Sequence, residues 1–349
     1  MAQAQPRVRV VFIAGTGRSG STLLARLLGQ ADGVFTAGEL RYLWRRGIVE
    51  GRLCGCHASV CACPVWSGVL DRLPAGLEEA ARLDAELRRV IRGRRLPLLL
   101  LDAARRRSRR SSGEAQRELS ALLTALADET GARWIVDSSK LPAYGQLLTT
   151  LPDVDVVVVH LVRDARAAAF SWQRWRELPD DAPQRWMQRQ SAAKSASLWL
   201  FWNALAELLW RRRPDLAYLR LRYEDLIADP QAAVDAVLAR CGEPAVGLPL
   251  TSDGRILLPL THAVAGNPDR LGAGAIRFAT DAEWQHSMRR RQRWLVSALT
   301  FPLLRHHGYA LRHRRDHPRH SREHQHVRFR PRNRSLRLHA RPRDPVPPS

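Results

Sequence analysis

VVFIAGTGRSGSTLLARLL, residues Val10 to Leu28, is the stretch on which the fold of this chain turns. Apolar and β-branched residues crowd from Arg7 to Ala14, three glycines follow at Gly15, Gly17 and Gly20, and Ser21 to Gly29 has helical composition. That order predicts a strand, a tight loop at its C-terminal end and a helix. The Gly15–Gly20 spacing is the G-x4-G of a Walker A loop, but Ser21 stands where that motif demands a lysine. Such a loop still turns backbone N–H groups onto a phosphate and aims the helix N-terminus at it, with Arg18 supplying the missing cation. Gly15, Thr16, Gly17, Arg18, Ser19, Gly20, Ser21 and Thr22 are therefore expected to hold a nucleotide-type phosphate or sulfate donor.

Outward from this loop the chain alternates strands with helices. A strand over Arg133–Val136 delivers Asp137-Ser-Ser-Lys140. Val154–Val162 (VDVVVVHLV) is almost wholly apolar, as a parallel strand covered on both faces should be. It ends in Arg163-Asp164 and a helix over Ala165–Glu177. A long helix is expected over 184–212, with Trp186, Trp199, Trp202 and Trp210 as core packing. A strand over Ala217–Arg222 precedes Tyr223-Glu-Asp-Leu226, and Asp229-Pro230 opens a helix to Arg240. Between the first two strand–helix units, residues 39–50, 64–72 and Glu78–Arg92 read as helices of an insertion, about 40–113, above the sheet. Arg105–Arg110 with Ser111, Ser112 and Gly113 is a loop, and Glu114–Glu129 a further helix. The fold class is α/β: a P-loop-like, three-layer α/β/α domain over residues 1–311 with a central, mostly parallel sheet and ligands at its strand C-termini.

Composition bounds the function. A 349-residue chain with 45% hydrophobic residues buries a large core. The net charge is +22, yet only Lys140 and Lys194 among the 56 basic residues are lysines. Residues 312–349 hold twelve arginines and six histidines against three acids, with no apolar periodicity, and are expected to be a disordered basic tail. Nucleic acid is not expected as a partner beyond non-specific contacts of that tail. No run of 18 apolar residues and no N-terminal cleavage signal is present, so no membrane span and a cytoplasmic location are expected. Cys54, Cys56, Cys61 and Cys63 form C-x-C-x4-C-x-C, with Cys241 alone. This is not a secreted disulfide framework. Two readings stand: four thiolates on a zinc ion, for which the paired C-x-C is tight, or reduced thiols pinning a turn, the one adopted here.

The loop, together with Arg163-Asp-Ala-Arg-Ala-Ala-Ala-Phe-Ser171, resembles the 3′-phosphoadenosine-5′-phosphosulfate (PAPS)-dependent sulfotransferases, in particular their carbohydrate and tyrosylprotein branches. Those enzymes carry an R-S-G-[ST]-T loop for the 5′-phosphosulfate and an R-D-x-R-x4-S segment for the donor's 3′-phosphate. The resemblance implies that Arg18 grips the phosphosulfate while Arg163 and Ser171 grip the 3′-phosphate. Asp137–Lys140, Arg222–Leu226, the cysteine turn up to Trp66, and the late loop Gly266–Trp284 are similar to further segments of bacterial and carbohydrate members. They add Arg270 and Arg277 as candidate phosphate contacts.

Sulfuryl transfer to an oxygen needs a base, cations facing the leaving phosphate and in-line positioning, with no metal and no covalent intermediate. Glu39, in Thr36-Ala-Gly-Glu-Leu40, resembles the base of the tyrosylprotein branch and is the expected general base. Arg18 and Lys140 are the expected catalytic cations. His160 and His262 are alternative bases, His160 being the more readily explained as a satisfied core residue. The expected partner is a hydroxyl-bearing acceptor, a small molecule more than a polysaccharide, in a bacterial cell. Two other readings are a P-loop kinase or NTPase, with Asp164 holding Mg²⁺, and a basic nucleic-acid-binding protein acting through the tail.

Overall fold

The computed structural model describes residues 7–74, 76–91, 113–178, 186–279 and 281–310. The basic tail at 312–349 and the arginine-rich loop at 105–112 lie outside the described residues. Five strands, β1 (Val8–Gly15), β2 (Val34–Gly38), β3 (Trp134–Lys140), β4 (Val154–Val162) and β5 (Ala217–Arg222), form one parallel sheet in the order β2-β3-β1-β4-β5. A two-stranded hairpin, β6 (Ile256–Leu258) and β7 (Gly274–Ile276), stands apart from it.

Strand alternation sorts β1 into two cores. Val10, Phe12 and Ala14 pack with Leu122 and Leu126 of the helix Glu114–Thr130, Tyr144 of Pro142–Leu148 and Trp210 of Ala192–Trp210. Val11 and Ile13 pack with Leu24, Leu27 and Leu28 of the helix Ser21–Leu28 and with Val234 and Val237 of Pro230–Cys241. These are the outer layers of a three-layer α/β/α domain, with β1 in the middle of the sheet and the apolar β4, the strand expected to be central, next to it. Among the described residues no helix is long and apolar enough to cross a membrane.

Four local expectations are corrected. β2 was not expected; its three β-formers between Gly33 and Gly38 are too short a run to stand out, and pairing with β3 makes them a strand. Asp137–Lys140 do not follow a strand but complete β3. The segment 39–50 is a 3₁₀ turn, Leu40–Tyr42, then a π-helical turn, Leu43–Val49. The long helix begins at Ala192, where the Ser191 hydroxyl accepts from the Lys194 N–H at 3.2 Å. Trp186 therefore lies before that helix, 38% exposed and edge-on to Trp175, while Trp199 and Trp210 are core as expected.

Candidate functional site

At the C-terminal end of β1 the chain turns through Gly15–Gly20 into the helix Ser21–Leu28. Gly20 is the N-cap, at φ 91°, and a Cβ there would come within 2.4 Å of the Tyr223 ring. Only glycine meets both demands. The first turn of this helix carries no acid, so its N-terminal N–H groups and dipole remain open to an anion.

The loop borders a cleft of about 980 Å³, which brings together Thr16, Arg18, Ser21, Thr22, Glu39, Lys140, Arg163, Ser171 and Arg277. Two irregularities put Glu39 and Lys140 there. One extra residue in β3, between the pairs Phe12↔Asp137 and Ala14↔Lys140, bulges that strand against β1. One extra residue in β2, between Thr36↔Val136 and Gly38↔Asp137, does the same next to Glu39. Bulges at strand ends re-aim the side chains that follow them. Lys140 leaves its bulge at φ 67° and Arg18 sits in the loop at φ 70°, so two cations facing the cleft occupy the left-handed region that L-residues seldom adopt.

The resulting ion pair is close: Lys140 Nζ donates to Glu39 Oε1 at 2.5 Å, to the Ser138 carbonyl at 2.8 Å and to Ser21 Oγ at 3.3 Å. Arg46 adds a second cation 3.7 Å from Glu39. Burial by itself raises the Glu39 pKa, but Lys140 and Arg46 outweigh it, and the carboxyl lies below its ordinary range. Glu39 is thus an ionised proton acceptor at neutral pH. Its neighbour Asp137 goes the other way: burial pushes it up to about 6, although the Ser139 N–H and hydroxyl both donate to it.

Arg18 donates to Asn267 Oδ1 at 3.2 Å, and its guanidinium lies 5.0 Å from the Trp172 ring. Burial, with Arg176 and Arg163 nearby, lowers its pKa to about 10, so it stays charged. Arg163 donates to the Arg18 carbonyl at 2.8 Å and to Asp281 at 2.6 Å, stacked 4.4 Å over Tyr223. The buried Nε atoms of Arg18 and Arg163 have no hydrogen-bond partner in the protein. The same holds for the Nε atoms of Arg26, Arg41 and Arg222, so what sets Arg18 and Arg163 apart is that both line the cleft where the loop borders it.

Four expectations fail on geometry. Gly15 and Ser19 belong to the loop but do not line the cleft. Arg270 is 2% exposed, donates to the Leu53 carbonyl at 2.9 Å and does not line the cleft; it secures the late loop against the cysteine turn. His262 does not line the cleft either, its Nδ1 being 3.2 Å from Cys63 Sγ. His160 is the satisfied core residue expected, bonded to Tyr218 and Asn203 at 2.8 Å each and lowered by burial to about 4. The lining also includes Arg41, Tyr42 and Arg46, which sequence reading missed. The Tyr42 ring meets both guanidinium groups, 4.4 Å from that of Arg41 and 3.9 Å from that of Arg46, and nothing in composition announces the π-helical turn that follows it. Arg26 was missed as well: buried, it donates to the carbonyls of Pro259, Asp269 and Gly272 and ties the loop helix to the late loop.

The model of a family described as "Sulfotransferase family" matches residues 10–246. Among solved structures, the sulfotransferase domain of the Synechococcus PCC 7002 olefin synthase shares 17% identity over 86% of this chain and 96% of its own, with a TM-score of 0.49. The sulfotransferase STF9 from Mycobacterium avium shares 14% over 88% of this chain and 79% of its own, at 0.45. A retinol dehydratase in complex with androsterone and inactive cofactor PAP shares 16% over 87% of this chain and 82% of its own, at 0.35. No curated protein matches in sequence.

Proposed function

Because the chain belongs to the sulfotransferase family, we propose that it transfers the sulfuryl group of PAPS to a hydroxyl of an acceptor, releasing adenosine 3′,5′-bisphosphate. The observation that carries this reading is that one cleft holds a base–cation pair, Glu39 with Lys140, beside Arg18, Arg163 and the open N-terminus of the loop helix. The bound donor supplies a sulfuryl group on a phosphate leaving group. Glu39 takes the acceptor's proton. Lys140 hands part of its charge from Glu39 to the oxygens that become negative as transfer proceeds, and Arg18 with the loop N–H groups holds the phosphate that leaves. Arg163 and Ser171 hold the 3′-phosphate, Arg163 exchanging Asp281 for it, and Arg277 at the rim is a further contact. The acceptor is a hydroxyl-bearing small molecule or carbohydrate, and no step requires a metal.

The kinase reading loses its metal-holding group. Asp164 accepts from the Arg166 N–H at 2.8 Å and from its guanidinium at 2.9 and 2.6 Å, and it does not line the cleft. The discriminating measurement is calorimetric titration with adenosine 3′,5′-bisphosphate and, separately, with ATP and Mg²⁺. The bisphosphate is expected to bind more tightly; preferential binding of ATP removes the sulfotransferase reading. An acceptor screen with labelled PAPS then names the substrate class.

Arg163→Ala tests the 3′-phosphate assignment. Loss of one charge-assisted contact of about 1.5–3 kcal/mol corresponds to roughly 10–100-fold weaker bisphosphate binding. Affinity for an adenosine 5′-phosphate lacking the 3′-phosphate should change little. Equal losses for both ligands would assign Arg163 to the loop, whose Arg18 carbonyl it already holds.

A further inference from the structure

Away from the cleft, the cysteine turn and the late loop bring four soft donor atoms to one point. Cys54, Cys56 and Cys63 Sγ and the His262 ring nitrogen all lie within 4.8 Å of one another. Cys56 and Cys63 Sγ are 3.6 Å apart, and Cys63 Sγ is 3.2 Å from His262 Nδ1. A tetrahedral zinc ion with Zn–S near ~2.3 Å and Zn–N near ~2.0 Å sets its ligands about 3.5–3.8 Å apart, close to the separations found here. A disulfide needs sulfurs about 2.05 Å apart and would use two of the four groups.

We propose that Cys54, Cys56, Cys63 and His262 form a structural Cys₃His zinc site. It replaces the reduced-thiol reading adopted from the sequence, and it differs from the four-thiolate alternative: Cys61 is exposed and outside the cluster, and a histidine 199 residues beyond Cys63 takes its place. Exchanging the fourth thiol for that histidine relieves the tightness of paired C-x-C segments, because the fourth ligand now comes from another loop. Three thiolates and an imidazole select zinc over magnesium or calcium, and binding releases the three thiol protons. All four ligand positions are used by protein, the mark of a structural rather than a catalytic site.

The surrounding backbone is built to hold the ligands. The Gly55 N–H donates to the Ala263 carbonyl at 3.0 Å, and Trp66 Nε1 donates to the His262 carbonyl at 2.6 Å. A Cβ at Gly55 would come within 2.4 Å of the Thr261 carbonyl oxygen, so the two loops meet backbone to backbone. Two residues past His262, the Val264 N–H donates to the Ala37 carbonyl and the Val264 carbonyl accepts from the Glu39 N–H, both at 2.9 Å. The zinc thus clasps the late loop against the segment that sets Glu39 in place.

The test is metal analysis of the full-length protein, purified reduced and without chelator. About one zinc per chain is expected, with an X-ray absorption shell of three sulfurs and one nitrogen at the distances above. Cys63→Ser and His262→Ala should each reduce the metal to a trace, whereas Cys61→Ser should retain it. The absorption spectrum of the native protein stands even if those variants fold poorly. Zinc-free protein overturns the proposal. So does a shell of nitrogen and oxygen alone, as histidines of residues 312–349 would produce, or a disulfide among Cys54, Cys56 and Cys63 in peptide mass maps.

Discussion

Glu39→Gln is expected to lower the turnover of sulfuryl transfer by roughly 10²-fold or more, the scale of lost general-base catalysis, while donor binding stays nearly intact. Among the described residues four carboxylates line the cleft: Glu39, Asp269, Asp281 and Glu283. Asp281 is paired with Arg163, Glu283 with Arg174 and Asp269 with Arg176, all three partly exposed, whereas Glu39 is buried and paired with Lys140, the lysine at the end of β3 beside the loop. Glutamine keeps the shape and loses the proton acceptor. Steady-state transfer assays beside bisphosphate titrations separate the two effects, and turnover within tenfold of the native rate places the base elsewhere. The pH profile is a second check. The folded pKa of Glu39 is depressed, so its ionised form, and the stability its pairing contributes, persist above the usual carboxylate range and are lost only as pH falls through the lowered value. The acid limb of native kcat/KM therefore lies below that range, and in the variant it is expected to vanish.

Lys140→Met is expected to reduce transfer by about 10²–10³-fold, comparable with removing one donor from a preorganised charge-stabilising site. It should also move the acid limb upward. Burial is the largest influence on Glu39 and raises its pKa; Lys140 is the largest one opposing it. With the ammonium gone and Arg46 at 3.7 Å the nearer remaining cation, the carboxyl takes up its proton at higher pH. Breaking a buried pair of this kind costs about 3–5 kcal/mol, so thermal melting must accompany the kinetics. A lower rate with an unmoved acid limb would mean that the ionising base is not Glu39. Read together, the two variants distinguish a base with its cation from a merely structural ion pair, which would lower stability without touching the pH profile.

Much of this site was legible in the sequence because its parts are local. Glycine spacing, a run of β-branched residues and a helix start are read within some 20 positions, so the loop with its Arg18, β1 and β4 followed directly, whereas the donor roles of Arg163 and Ser171 were implied by the resemblance to sulfotransferases. Arg270 shows the limit of that approach. Its segment was found, but which way a buried guanidinium points depends on a carbonyl acceptor at Leu53, 217 residues earlier.

What the sequence by itself determined was the order of β1, β3, β4 and β5 with most of the helices around them, and the chemistry available at those strand ends. What only the tertiary structure decided was which distant groups meet. Glu39 and Lys140 are 101 residues apart and touch because β2, a strand too short to announce itself, pairs with β3 and both are bulged at their ends. His262 reaches the cysteines, and leaves the list of bases, because the late loop pairs with the end of β2. The physical reason is common to both cases. Periodicity and turn chemistry act through neighbours along the chain, whereas strand order, bulges and loop closure are set by the packing of the whole core.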